Sequence, residues 1–117
     1  MKRLAALSVA CLVSAGCRPH ISDAEASALA REVSSLLQRH TKAGPLPRES
    51  WPASVANLKP QAVYIRAEGL YITTSSVFVG ERGVFVPDSK VSFRPVRGTD
   101  PQYEPVSHRI FVYRIAG

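Results

Sequence analysis

Cysteine is nearly missing from this 117-residue chain: two occur, Cys11 and Cys17, and none follows. Residues 18–117 therefore contain no disulfide, no thiolate metal site and no cysteine nucleophile, and whatever folds there is held by its core. Long apolar runs are missing too. The most apolar stretch, Leu4 to Val13, falls well short of the roughly 20 residues that a membrane-spanning helix needs. Acidic residues are few, 9 against 15 Lys and Arg, for a net charge of +6. The excess does not cluster: Arg31, Arg39, Arg48, Arg66, Arg82, Arg94, Arg97, Arg109 and Arg114 are scattered. A nucleic-acid partner is not expected from so dispersed a pattern, although weak attraction to an acidic surface stays open. Histidine is sparse, with His20, His40 and His108 too far apart to form an H-x-H or H-x-x-x-H pair, so no metal ion is expected. There is no G-x-S-x-G and no glycine-rich strand-to-helix loop, and so no nucleotide cofactor either.

The N-terminus is the most patterned part of the chain. Lys2 and Arg3 precede the apolar Leu4–Val13 stretch, and Ser14-Ala15-Gly16 run small residues into Cys17. That order is the layout of an export signal. Its ending resembles the lipobox of bacterial lipoproteins, although Ser14 stands where that family most often has Leu. The resemblance implies cleavage between Gly16 and Cys17, lipidation of the Cys17 thiol and a membrane partner reached through acyl chains. It also implies delivery to the outer membrane in a Gram-negative cell, since Arg18 rather than Asp follows the cysteine. Two or more acyl chains anchor stably where one does not. Ordinary signal-peptidase cleavage after Ala15 or Gly16, giving a soluble secreted protein, and a retained N-terminal helix are the other readings. Cys11 is a poorer lipidation site, because cutting there leaves too short an apolar run.

On this division residues 1–16 are the signal, 17–21 a lipidated cysteine with a short tether, and 22–117 one domain. Loss of Lys2 and Arg3 lowers the formal charge from +6 to +4.

Ser22 to His40 has helical spacing. Ser22-Asp23-Ala24-Glu25 fits a capping box, and Ala26, Leu29, Ala30, Val33, Leu36, Leu37 and His40 fall on one face, opposite Glu25, Glu32, Ser35, Gln38 and Arg39. Ala43-Gly44-Pro45 stops the helix. A proline-punctuated connector follows to Pro60, with a helical turn expected over Ser54–Leu58 and Trp51 expected to pack on the core rather than stack on a ligand.

From Gln61 the period becomes two. Ala62–Ala67 and Leu70–Thr74 read as strands joined at Glu68-Gly69, with Tyr64 and Tyr71 paired across the hairpin. Val77-Phe78-Val79 and Val84-Phe85-Val86 read as strands around a Gly80-Glu81-Arg82-Gly83 turn. Val91–Arg94 is a possible short strand, and His108–Ile115, apolar on both faces, reads as a central one. The expected fold is therefore α+β: an N-terminal amphipathic helix on an antiparallel sheet of four to five strands. The Trp51-Pro52 and Leu58-Lys59-Pro60 spacing, the paired strands and Gly98-Thr99-Asp100-Pro101 look like small uncharacterised bacterial envelope proteins, a resemblance that carries no activity.

No catalytic constellation emerges. Ser107 and His108 are neighbours and would point to opposite faces of a strand. Glu81 and Glu104 could be imagined as a glycosidase pair, and Asp100, Glu104 and His108 as the groups of a small envelope hydrolase acting on wall or lipid substrates. Charges on loops are more often simply solvated. Arg97, Asp100 and Tyr103 form the best candidate contact loop, since Tyr and Arg are enriched at hot spots; Tyr103 capping the core is an equal alternative. The expected role is a non-enzymatic envelope binding module, either inhibitor- or immunity-like or an accessory subunit, with a protein partner in the envelope.

Overall fold

The first helix, α1 (Asp23–Arg39), begins at the expected box: Ser22 Oγ accepts from the Glu25 amide at 3.2 Å, and Glu25 Oε1 accepts from the Ser22 amide at 2.9 Å. Two helix-end amides are satisfied at once. The structure is a computed structural model that describes residues 21–77, 80–107 and 109–116; Gly16, Cys17 and His108 lie outside them. Ala26, Leu29, Val33, Leu36 and Leu37 form the buried stripe of α1, while His40 falls just past its end and is half-buried.

Glu32 does not simply face solvent. Its Oε1 accepts from the Ser54 amide at 3.0 Å and from the Ser54 hydroxyl at 2.7 Å. The short helix α2 (Ala53–Ala56) starts after Pro52, which has no side-chain acceptor, so the long helix caps the short one. The Ser54 amide first, then its hydroxyl, hold the Glu32 carboxyl below the usual carboxylate range. Trp51 packs against the core as expected, with Nε1 donating to Leu46 O at 3.0 Å and the Arg48 guanidinium 5.2 Å over its ring.

The strands are β1 (Gly44–Pro45), β2 (Ala62–Arg66), β3 (Gly69–Val77), β4 (Gly80–Pro87), β5 (Gln102–Ser107) and β6 (Ile110–Ala116). They form one antiparallel sheet in the order β1-β2-β3-β4-β6-β5. The α+β class holds, but the sheet has six strands rather than four to five. Gly44-Pro45 stops the helix and then adds a two-residue edge, a position that tolerates proline. Tyr103, expected in a loop between Pro101 and Pro105, instead stands in Gln102–Ser107, the opposite edge strand. Val91–Arg94 is not a strand, because β3 and β6 already occupy both sides of β4.

Both turn positions also shift. Arg66 pairs with Gly69, so Ala67 and Glu68 are the two loop residues of the first hairpin. Gly69 instead allows a close approach: a Cβ there would sit 2.3 Å from Val86 O. Val77 pairs with Gly80, which puts Gly80–Gly83 inside β4 rather than in a turn. A Cβ on Gly83 would lie 1.9 Å from Ile72 O and 2.9 Å from Tyr113 Cε1. Its glycine is a packing requirement that the sequence presents as turn chemistry.

The pleat sorts the two faces. Val63, Ile65, Leu70, Ile72, Val84, Val86 and Ile110 meet the α1 stripe. Tyr71, Phe85 and Tyr113 are buried on the other side, with Tyr64, Phe93, Tyr103, Phe111 and Ile115 packed against them.

Candidate functional site

The aromatic face is built around two carboxylates. Register places Tyr64 opposite Tyr71, and their rings stack at 5.0 Å and 8°. Tyr113 meets Tyr71 edge-on at 4.9 Å, and Phe93 reaches over from the segment after β4 to pack 4.8 Å from both Phe85 and Tyr103. Below the rings, Glu81 Oε2 accepts from Tyr64 Oη at 2.6 Å, from Thr73 Oγ1 at 3.0 Å and from Tyr113 Oη. Glu68 Oε2 accepts from Tyr71 Oη at 2.6 Å, and with that proton committed Tyr71 accepts from Tyr103 Oη at 2.6 Å.

Opposing terms set the charge of this network. Burial alone would raise the Glu81 carboxyl, but the hydroxyls of Tyr113, Tyr64 and Thr73 and the charge of Arg66 outweigh it and leave its pKa below the ordinary range. The tyrosines move the other way. Desolvation, then Glu81, pushes Tyr64 up to about 12, and desolvation with carboxylate neighbours raises Tyr71, Tyr103 and Tyr113 as well. Glu81 is thus held ionised by donors that hold their own protons. A general acid or base works with a pKa near the operating pH, and the Glu81 carboxyl is held below even the ordinary carboxylate range. Its role here is to satisfy a partly buried polar layer.

Glu81 lies opposite Ile115 and Glu104 opposite Val112, positions of opposite parity on β6. The two carboxylates therefore project from opposite faces and do not form a glycosidase pair.

The expected contact loop is not one surface. Tyr103 stands in β5 with its ring in the aromatic cluster, as the core-capping alternative has it. Asp100 Oδ1 accepts from the Ala116 amide at 2.8 Å, tying the entry of β5 to the end of β6. Arg97 is exposed. The structure does not gather the three.

Part of that loop nevertheless helps to form an open depression of about 520 Å³ at the end of the sheet, where β4 begins and β6 ends. Gly98, Thr99 and Asp100 line it together with Ser75, Arg82, Gln102 and Arg114. Register explains the grouping: Ser75 pairs with Arg82, Arg82 with Arg114 and Arg114 with Gln102. Directly opposed residues share a face, so these four side chains make one row across β3, β4, β6 and β5. Arg114 Nη2 donates to Gln102 Oε1 at 3.0 Å. All four are exposed, beyond the reach of α1. No sequence pattern signals this row, because its members are separated by strand pairings rather than by local spacing.

Among the described residues no group of three or more His, Cys, Asp or Glu side chains could hold a metal ion. None of their helices is long and apolar enough to cross a membrane. No protein-family model, curated protein or solved structure matches the chain.

Proposed function

We propose that this protein is a lipid-anchored bacterial envelope protein whose α+β domain is a non-enzymatic binding module. The observation that carries the reading is the succession Lys2-Arg3, Leu4–Val13, Ser14-Ala15-Gly16-Cys17. Its companion is the position of the helix cap at Ser22, close behind Cys17. Five residues of extended chain reach about 17 Å, so an acylated Cys17 would keep the domain against the headgroups. Arg18 would add about 1 kcal/mol of attraction to an anionic leaflet and marks the outer membrane as the destination in a Gram-negative cell. The binding role is supported by the solvent-facing row at the sheet end, which contrasts with the saturated hydroxyl layer on the other face. The partner is an envelope component, met in the manner of an inhibitor, an immunity protein or an accessory subunit.

Metabolic labelling with a palmitate analogue tests the anchor. Wild-type protein is expected to take up label and Cys17→Ser to lose it. Unlabelled wild type, or equal label in the variant, contradicts it.

A further inference from the structure

We infer that the row Ser75–Arg82–Arg114–Gln102 is a binding site for a phosphate monoester. The inference rests on the reading of the domain as a binding module and is independent of the lipid anchor.

The starting point is a cost. Arg82 and Arg114 are directly opposed on neighbouring antiparallel strands, where like charges destabilise the pair. A sheet surface that needs only solubility gains nothing from this arrangement, whereas a bound anion would offset its cost by lying between the two charges. The two guanidiniums are always charged, and their planar forks match oxyanions with two donors each. Gln102 fixes one of them: its Oε1 accepts from Arg114 Nη2 at 3.0 Å, which leaves its amide group to donate outward. Ser75, at the other end of the row, adds a hydroxyl donor. Two cations flanked by two neutral donors outnumber what a carboxylate's two oxygens accept, and they suit the three terminal oxygens and double charge of a phosphate monoester. The depression of about 520 Å³ accommodates a phosphorylated sugar or headgroup above the row.

Acidic residues nearby set the limits of the site. Glu81 and Asp100 line the same depression, but Glu81 Oε2 is turned to three hydroxyls and Asp100 Oδ1 to the Ala116 amide. Glu104 stands one rung away, opposite Val112, on the face of the row. These carboxylates favour a ligand held at a single phosphate over a polyanion lying along the sheet.

The test is thermal unfolding of the full chain in non-ionic detergent, with inorganic phosphate as the probe and chloride at matched ionic strength as the reference. A ligand that binds only the folded state raises Tm as its concentration passes Kd. Phosphate is expected to raise the Tm of wild type and to lose most of that effect in Arg82→Gln/Arg114→Gln. Without phosphate the double variant should unfold at the same or higher temperature than wild type, because the repulsion is gone. Glu104→Gln should bind phosphate more tightly than wild type. An equal phosphate shift in wild type and the double variant would be general salting-out and would overturn the site. So would a glutamate-rich peptide that shifts Tm at lower concentration than phosphate does. Vesicles containing phosphatidic acid, compared with phosphatidylglycerol, separate a lipid headgroup from a free phosphate: retention by the former alone assigns the monoester to lipid, and retention by neither leaves the soluble monoester as the ligand. Loss of palmitate labelling with an intact phosphate shift would refute the anchor and keep this site; the reverse result would refute the site alone.

Discussion

The two faces of the sheet solve burial differently. On the helix side, Leu29, Val33, Leu36, Leu70, Ile72, Val84 and Ile110 close a dry aliphatic layer. On the other side Tyr71, Phe85 and Tyr113 are as deeply buried, yet four phenol hydroxyls end on or beside Glu81 and Glu68. The first layer is stable wherever apolar area leaves water, whatever the pH. The second is conditional. It holds while Glu81 is ionised and the tyrosines are neutral, and a change in either charge leaves donors or acceptors without partners.

The largest effects should come from removing volume on either face. Phe85→Ala is expected to cost about 3–5 kcal/mol and Leu36→Ala about 2–5 kcal/mol, measured by urea unfolding. At this level the faces should look alike, since both residues are fully buried. A loss below about 1 kcal/mol at Phe85 would show that the aromatic layer is not a core.

Charge should separate them. Glu81→Gln is expected to cost about 1.5–3 kcal/mol at neutral pH, the range for hydrogen bonds to an ionised group. The sign of its pH dependence follows from the depressed pKa. Its contribution is present above the unfolded value of about 4.3 and is lost as pH falls through the lower folded value. Wild-type stability should therefore drop below about pH 4, and the drop should shrink in Glu81→Gln. Some of it should remain, because Glu32 is also depressed. An unchanged acid profile would remove Glu81 from the account. Coupling sharpens the contrast further: Tyr64→Phe with Glu81→Gln should be non-additive, and Leu36→Ala with Glu81→Gln additive.

At the alkaline end the tyrosines should resist ionisation. All four are raised, Tyr64 to about 12, so native protein at pH 10 should show less tyrosinate absorbance than the unfolded chain. In urea about half should ionise at that pH. Stability held by Tyr64 is present below about pH 10 and lost as pH climbs toward 12. The smallest effect is Tyr64→Phe alone at neutral pH, which removes one donor to ionised Glu81 while Thr73 and Tyr113 keep donating to it, and should cost less than Glu81→Gln.

The same division explains what could be read in advance. Helix periodicity and the Ser22–Glu25 box are local signals, and α1 follows them to within a residue at each end. The Tyr64–Tyr71 pair was legible from its place on either side of a short turn, although the loop that sets the register is Ala67-Glu68 rather than Glu68-Gly69. Glu81 was not: among glycines it reads as a hairpin tip, while its partners Thr73, Tyr64 and Tyr113 lie on three other strands. The strand β5 was hidden by Pro101 just before it, Pro105 within it and its polar residues, which an edge accepts. The arginine row was hidden for the same reason, because only sheet register joins Arg82 to Arg114.

The role proposed for the whole protein turns on Cys17, and the intact mass of the chain isolated from the envelope tests it most directly. The expected species is a polypeptide that begins at Cys17, lacks residues 1–16 and carries a diacylglyceryl group on the thiol. A chain with a free thiol at Cys17, or one that keeps Met1 to Gly16, would contradict it.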